Sequence, residues 1–178
     1  GPGEAGKTTN YEQLKKIFKG NQISQGFSIA TTQQRTLWSD SVHFRFFLQS
    51  LNLELIVLVA TTTGQERFLS TREYILQNAD GVIFVGDSHP DKLEETKRSF
   101  EELIAFTRFN GIPMLIQLNK RDVRNAIAEM DFRKALGLPA IEKDGDGHHI
   151  VYPAIASDLK HLNEIKEIFR DLTAKLLK

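Results

Sequence analysis

The chain has 178 residues, and its 23 Lys+Arg balance 23 Asp+Glu, so it offers no basic field for nucleic acid or anionic lipid. Its 40% apolar content suits one domain, residues 1–178, with a sizeable core, and no apolar run approaches the ~20 residues that span a bilayer. With no cysteine, these residues carry no disulfide, no thiolate metal site and no lipidated cysteine, and a reducing cytoplasm is the expected location.

The chain opens on Gly1-Pro2-Gly3-Glu4-Ala5-Gly6-Lys7-Thr8, which fits the pattern G-x-x-x-x-G-K-[ST] without a mismatch. A phosphate tail needs several donors aimed at one spot, and a tight glycine-rich loop supplies backbone N–H groups free of interfering Cβ atoms. The candidate phosphate-binding residues are Gly3, Glu4, Ala5, Gly6, Lys7, Thr8 and Thr9. Lys7 can reach the terminal phosphates as a point charge, and the Thr8 hydroxyl can ligate a bridging Mg²⁺. A helix starting at Lys7 would turn its positive end to the same spot. Such loops normally follow a buried apolar strand, so a strand ahead of Gly1 is expected.

Helical periodicity continues to about Phe18, and residues 20–34 read as a long polar loop. Val42, Phe44, Phe46 and Leu48 alternate with polar residues and read as a half-exposed edge strand. Leu53 to Thr61 is nearly all apolar and reads as a strand buried on both faces, followed by a helix over 66–77. Val82–Val85 and Met114–Leu118 read as two more buried strands, with a helix over 91–109 between them. A short helix over 131–136, a loop over 143–149, a strand over Ile150–Ala156 and an amphipathic closing helix through Leu176 complete the pattern. Alternating strands and helices predict an α/β fold of the P-loop NTPase kind. It would have three layers, a mostly parallel sheet with one antiparallel edge strand, and helices on both faces. Ligands then collect at the carboxyl ends of the strands, where every motif falls.

Asn119-Lys120-Arg121-Asp122 follows the strand ending at Leu118 and matches N-K-x-D. The carboxylate of Asp122 only accepts hydrogen bonds, and guanine presents two adjacent donors, its ring N–H and its amino group. Adenine presents an acceptor there and no amino group. Asn119 can bond the other edge of the base, and the Lys120 stem can lie over its face. Thr61-Thr62-Thr63-Gly64-Gln65-Glu66 follows another strand. Gly64 would bring its N–H to the γ-phosphate, and Gln65 would orient the attacking water. Asp87 ends a strand near the phosphates and is a candidate to compensate for the neutral Thr61, as is a plain strand-end turn. Asp144-Gly145-Asp146-Gly147 and His148-His149 read as a solvated loop, because a calcium loop would need a closing glutamate.

Taken together, the Gly-Pro-Gly loop, Ala30-Thr31-Thr32-Gln33-Gln34-Arg35-Thr36-Leu37, threonine for the usual aspartate of D-x-x-G-Q-E, and Asn119-Lys120-Arg121-Asp122 resemble the MglA-type bacterial and archaeal small GTPases. These are similar to Ras and Arf proteins, and the resemblance covers nearly the whole chain. It implies a switch that binds GTP and GDP with Mg²⁺ and hydrolyses GTP slowly without a partner. It implies that Thr36 is a second metal ligand sensing the γ-phosphate and that Arg35 is an intrinsic arginine finger. It places the base-supporting loop at Ala156 and Ser157, and it implies a protein regulator of the roadblock type similar to MglB, with roles in polarity or motility. A nucleotide-binding scaffold with little hydrolysis is the alternative that Thr61 favours, and a P-loop kinase or ATPase is a third, which N-K-x-D opposes.

Overall fold

The computed structural model describes residues 1–25, 40–62 and 74–178. The first helix, α1 (Lys7–Ile17), begins directly after the glycine-rich loop. Strands β1 (Ser41–Leu48) and β2 (Leu53–Ala60) form an antiparallel hairpin, closed by a 3-10 turn over Gln49–Leu51 and by Asn52 in the left-handed region at φ 48°. Strands β3 (Val82–Asp87), β4 (Met114–Asn119) and β5 (Val151–Pro153) form a parallel sheet in that order. Helices α2 (Leu93–Asn110), α3 (Glu129–Ala135) and α4 (Leu162–Leu176) complete the described elements. This is an α/β arrangement with a parallel sheet and an antiparallel pair.

The two faces of the parallel sheet carry separate cores because side chains alternate along each strand. Phe84, Ile116 and Leu118 pack on Phe100 and Leu103 of α2 and Phe132 of α3. From the opposite face, Leu115 and Tyr152 meet Ile168 and Leu172 of α4. The hairpin leans on α1 and α4 through Val42 and Phe44 against Tyr11, Leu14, Ile165 and Phe169. Phe18 sits among these rings, edge-on to Phe44 and Phe46 at centroid distances of 5.8 and 5.1 Å. Fully burying one such ring contributes about 1.5–3 kcal/mol.

Strand β2 departs from the expectation of a strand buried on both faces. Ile56 and Leu58 are 54% and 56% exposed, and only the alternate face meets the helices. An unbroken apolar run is ambiguous, since it reports composition and not which face is covered. The last strand is also shorter than Ile150–Ala156. It keeps three residues and ends at Pro153, which has no N–H to give to a ladder. Among the described residues no backbone pairing joins β2 to β3. A cavity of about 160 Å³ lies between them, lined by Gly1, Val59, Ala60, Val82, Val85 and Ile168 among others.

Strand β3 packs so closely on α3 that one position admits no side chain. A Cβ on Gly86 would sit 2.7 Å from Cζ and 2.9 Å from Cε2 of Phe132, a ring with no exposure. Gly86→Ala is expected to destabilise the fold by about 1–3 kcal/mol. Urea denaturation measures this, and a parental midpoint would show that the ring has room to move.

Candidate functional site

The glycine-rich loop meets the end of β4 through one side chain. Asn119 is 2% exposed, and its Nδ2 donates to the carbonyl of Ala5 at 2.8 Å while its Oδ1 accepts the N–H of Ala156 at 2.9 Å. Only a carboxamide both donates and accepts in this way, so neither aspartate nor leucine could replace it. The same contact explains Gly6. Its φ of 99° lies in the left-handed region, and a Cβ there would come within 2.3 Å of the Asn119 amide nitrogen. Gly1 is constrained otherwise, since a Cβ on it would lie 2.1 Å from the carbonyl oxygen of Val85.

Three further amides, two of them buried, reinforce this joint. Gln117 Nε2 donates to Oδ1 of Asn10 at 3.0 Å, and Asn10 Nδ2 donates to the Gly6 carbonyl at 3.0 Å. Gln13 Nε2 donates to the Ala156 carbonyl at 2.9 Å. Sequence reasoning missed all three, although Gln117, a polar residue inside an otherwise apolar strand, was the available signal.

Lys7 donates to the carbonyls of Pro2 and Gly1 at 2.6 and 3.0 Å, which sets its ammonium against the start of the loop. Glu4 adopts a left-handed backbone at φ 62°, Ala5 is fully buried, and Gly3 and Thr9 are half-buried. The Thr8 hydroxyl donates to Oδ2 of Asp40 at 2.7 Å. Thr61 donates to that same oxygen at 3.0 Å and accepts the Asp40 N–H at 3.0 Å. Asp40 is fully buried, at the entrance to β1. The carboxylate beside Thr8 and Thr61 is therefore Asp40, and Asp87 is elsewhere.

Asp87 joins the loop after β4 instead. Its Oδ2 accepts from Nζ of Lys120 at 2.8 Å, and its Oδ1 accepts the His89 N–H at 3.0 Å and lies 2.6 Å from His89 Nδ1. Burial alone would push this carboxyl up, but the hydrogen bonds from Lys120 and His89 outweigh it and hold it below its ordinary value. Lys120 has a left-handed backbone at φ 62°. Arg121 is fixed by its N–H to the Ala154 carbonyl at 3.1 Å and by its guanidinium to the Ile127 carbonyl at 2.6 Å. Asp122 is exposed at the loop tip. Ala156 is buried with its N–H committed to Asn119, and Ser157 is exposed in the turn that follows. The Asp144 loop is tied to the closing helix, since Lys175 Nζ lies 2.5 Å from the Asp144 carboxylate. Arg35, Thr36, Gly64 and Gln65 lie outside the described residues.

Asn119→Ala removes two buried hydrogen bonds and strands an N–H and a carbonyl. The expected loss is about 1–3 kcal/mol for each stranded group. Urea unfolding at the parental midpoint would contradict the bridge.

Known proteins are similar to this chain in sequence. The family model for the ADP-ribosylation factor family matches residues 1–173. The mutual gliding-motility protein MglA of Myxococcus xanthus is 34% identical over 146 residues, which are 76% of this chain and 72% of that protein. The ADP-ribosylation factor-related protein 1 of Bos taurus is 31% identical over 134 residues, covering 74% of this chain and 61% of its own length. The human ADP-ribosylation factor-like protein 4A is 26% identical over 173 residues, covering 96% and 79%. The chain belongs to the ADP-ribosylation factor family and is a Ras-like small GTPase of the MglA type.

Proposed function

We propose that this chain is a molecular switch that binds GTP, hydrolyses it and persists in a GDP-bound state until exchange. The observation that carries this reading is the Asn119 bridge, which sets the loop matching the phosphate pattern beside the loop matching the base pattern. The backbone amides from Gly3 to Thr9 and the start of α1 would receive the phosphates, with Lys7 adding a full positive charge. Asp122 would accept both guanine donors, Lys120 would cover the face of the base, and the turn at Ala156 and Ser157 would stand by its oxygen edge.

The donor set beside Thr8 suits Mg²⁺, because hydroxyl and carboxylate oxygens are the ligands a hard cation takes. Thr8 and Thr36 would hold the ion, and Asp40 would add the carboxylate that Thr61 lacks. Bound Mg²⁺ supplies positive charge that offsets the β- and γ-phosphate oxygens. The scaffold alternative rested on Thr61, and the buried Asp40 carboxylate beside it favours the hydrolytic reading.

In the reaction proposed, a water oxygen forms a bond to the γ-phosphorus as the bond to the β–γ bridging oxygen breaks, releasing GDP and phosphate. Gln65 orients that water, Gly64 donates its N–H to the γ-phosphate, and Arg35 meets the charge that develops in the transition state. No helix among the described residues is long and apolar enough to cross a membrane. A role in motility rests on the likeness to the Myxococcus protein named for gliding motility, and a cytoplasmic location, a role in polarity and a roadblock-type regulator similar to MglB rest on the family resemblance of the motifs.

Single-turnover hydrolysis tests the assignment. Gln65→Leu should keep GTP binding and lose turnover, and Arg35→Ala should slow turnover by about 10³-fold or more. Hydrolysis at the parental rate in both variants would overturn these roles.

A further inference from the structure

Asp87 is a carboxylate with 1% exposure at the end of a core strand, and the phosphate chemistry proposed above makes no use of it. Burying a charge is costly unless it is paired, so its place needs an explanation. The partner is Lys120, at 2.8 Å, and Lys120 lies in the loop that reads the base. β3 and β4 are paired in register, with Asp87 opposite Asn119, so the carboxylate sits on the rigid neighbour of the base loop. The turn after β3 holds that loop at more points. Ser88 donates its N–H and its hydroxyl to the Asn119 carbonyl at 3.1 and 2.5 Å, and Arg121 donates to the Ser88 hydroxyl at 3.2 Å.

We propose that Asp87 is a positioning residue of the base pocket: it grips the Lys120 ammonium so that the methylene stem is already laid out as a platform when guanine arrives. This rests on the nucleotide-binding reading above. A lysine side chain is long and flexible, and ordering it on binding would subtract from affinity. The grip moves that ordering into folding.

The geometry selects an informative variant. Both Asp87 oxygens accept, Oδ1 from His89 and Oδ2 from Lys120. An amide accepts on one side only. Asp87→Asn removes the negative charge and leaves one acceptor for the His89 and Lys120 donors, which weakens the grip on the ammonium.

The test is the rate of GDP release, measured in the parent, in Asp87→Asn, in Lys120→Met and in the double variant. Methionine keeps an apolar stem and has no ammonium. Asp87→Asn should speed release about three- to tenfold in the parent background, the range for ordering one long side chain. It should add less than about twofold on top of Lys120→Met, because its effect runs through the ammonium. Affinity for inorganic pyrophosphate, which lacks a base, should not change. Equal acceleration in both backgrounds, no acceleration in the parent, or an equal loss of pyrophosphate binding would overturn the proposal. If the parent itself does not retain GDP, the nucleotide reading falls and takes this one with it. A parent that retains GDP beside an unchanged Asp87→Asn sinks only the role of Asp87. Should the variants not fold, acetylation of the nucleotide-free parent by acetic anhydride, mapped by mass spectrometry, decides. Lys120 should be among the slowest lysines to react, and rapid acetylation would show that nothing grips it.

Discussion

One buried carboxamide holds the site together. Asn119 ends β4, crosses above Gly6 and ties the Ala5 carbonyl to the Ala156 amide. Ala5 and Ala156 lie 114 and 37 positions from Asn119 in the chain, yet this one side chain fixes their spacing. Each bond is strong because the environment is dry, and each is costly to lose for the same reason. Gly6 is glycine because Asn119 occupies the space where its side chain would be. The loop sequence and the strand-end sequence are thus two halves of one packing arrangement.

Around that joint two buried carboxylates sit at strand ends, each with a defined partner. Asp40, before β1, takes the hydroxyls of Thr8 and Thr61. Asp87, at the end of β3, takes the ammonium of Lys120. A buried carboxylate with a partner is fixed in orientation, whereas an unpaired one would neutralise or pull the strand end toward water. The strand ends beside the glycine-rich loop and the loop after β4 therefore carry a frame of hydrogen-bonded groups. The proposed chemistry needs that frame, since catalysis of phosphoryl transfer is mostly positioning and electrostatics.

Sequence patterns revealed the parts of this site whose information is local. The glycine loop, the four residues from the end of β4 and the apolar stripe of α4 were legible because their constraints act within one turn or one strand. The parallel order of β3 and β4 followed from the intervening helix. The one-sided burial of β2 did not, because Ile56 and Leu58 are as apolar as the residues that face the helices. The roles of Asp40 and Asp87 were hidden for another reason. Thr8 and Lys120, their partners, lie 32 and 33 positions away, and only the folded sheet brings them within reach. Gln117 carried a visible signal, a polar residue in an apolar strand, but its partner Asn10 lies 107 positions upstream.

The central claim is that the two loops joined by Asn119 make one pocket that reads a guanine and grips its phosphates with Mg²⁺. Equilibrium titration of the nucleotide-free protein with GDP and with ADP, each with and without Mg²⁺, tests it most directly. The account predicts Mg²⁺-dependent binding and a preference for GDP of roughly 10⁴ or more, as expected where a site's hydrogen bonds match one base and oppose the other. Equal affinity for the two nucleotides, or binding indifferent to Mg²⁺, would contradict it.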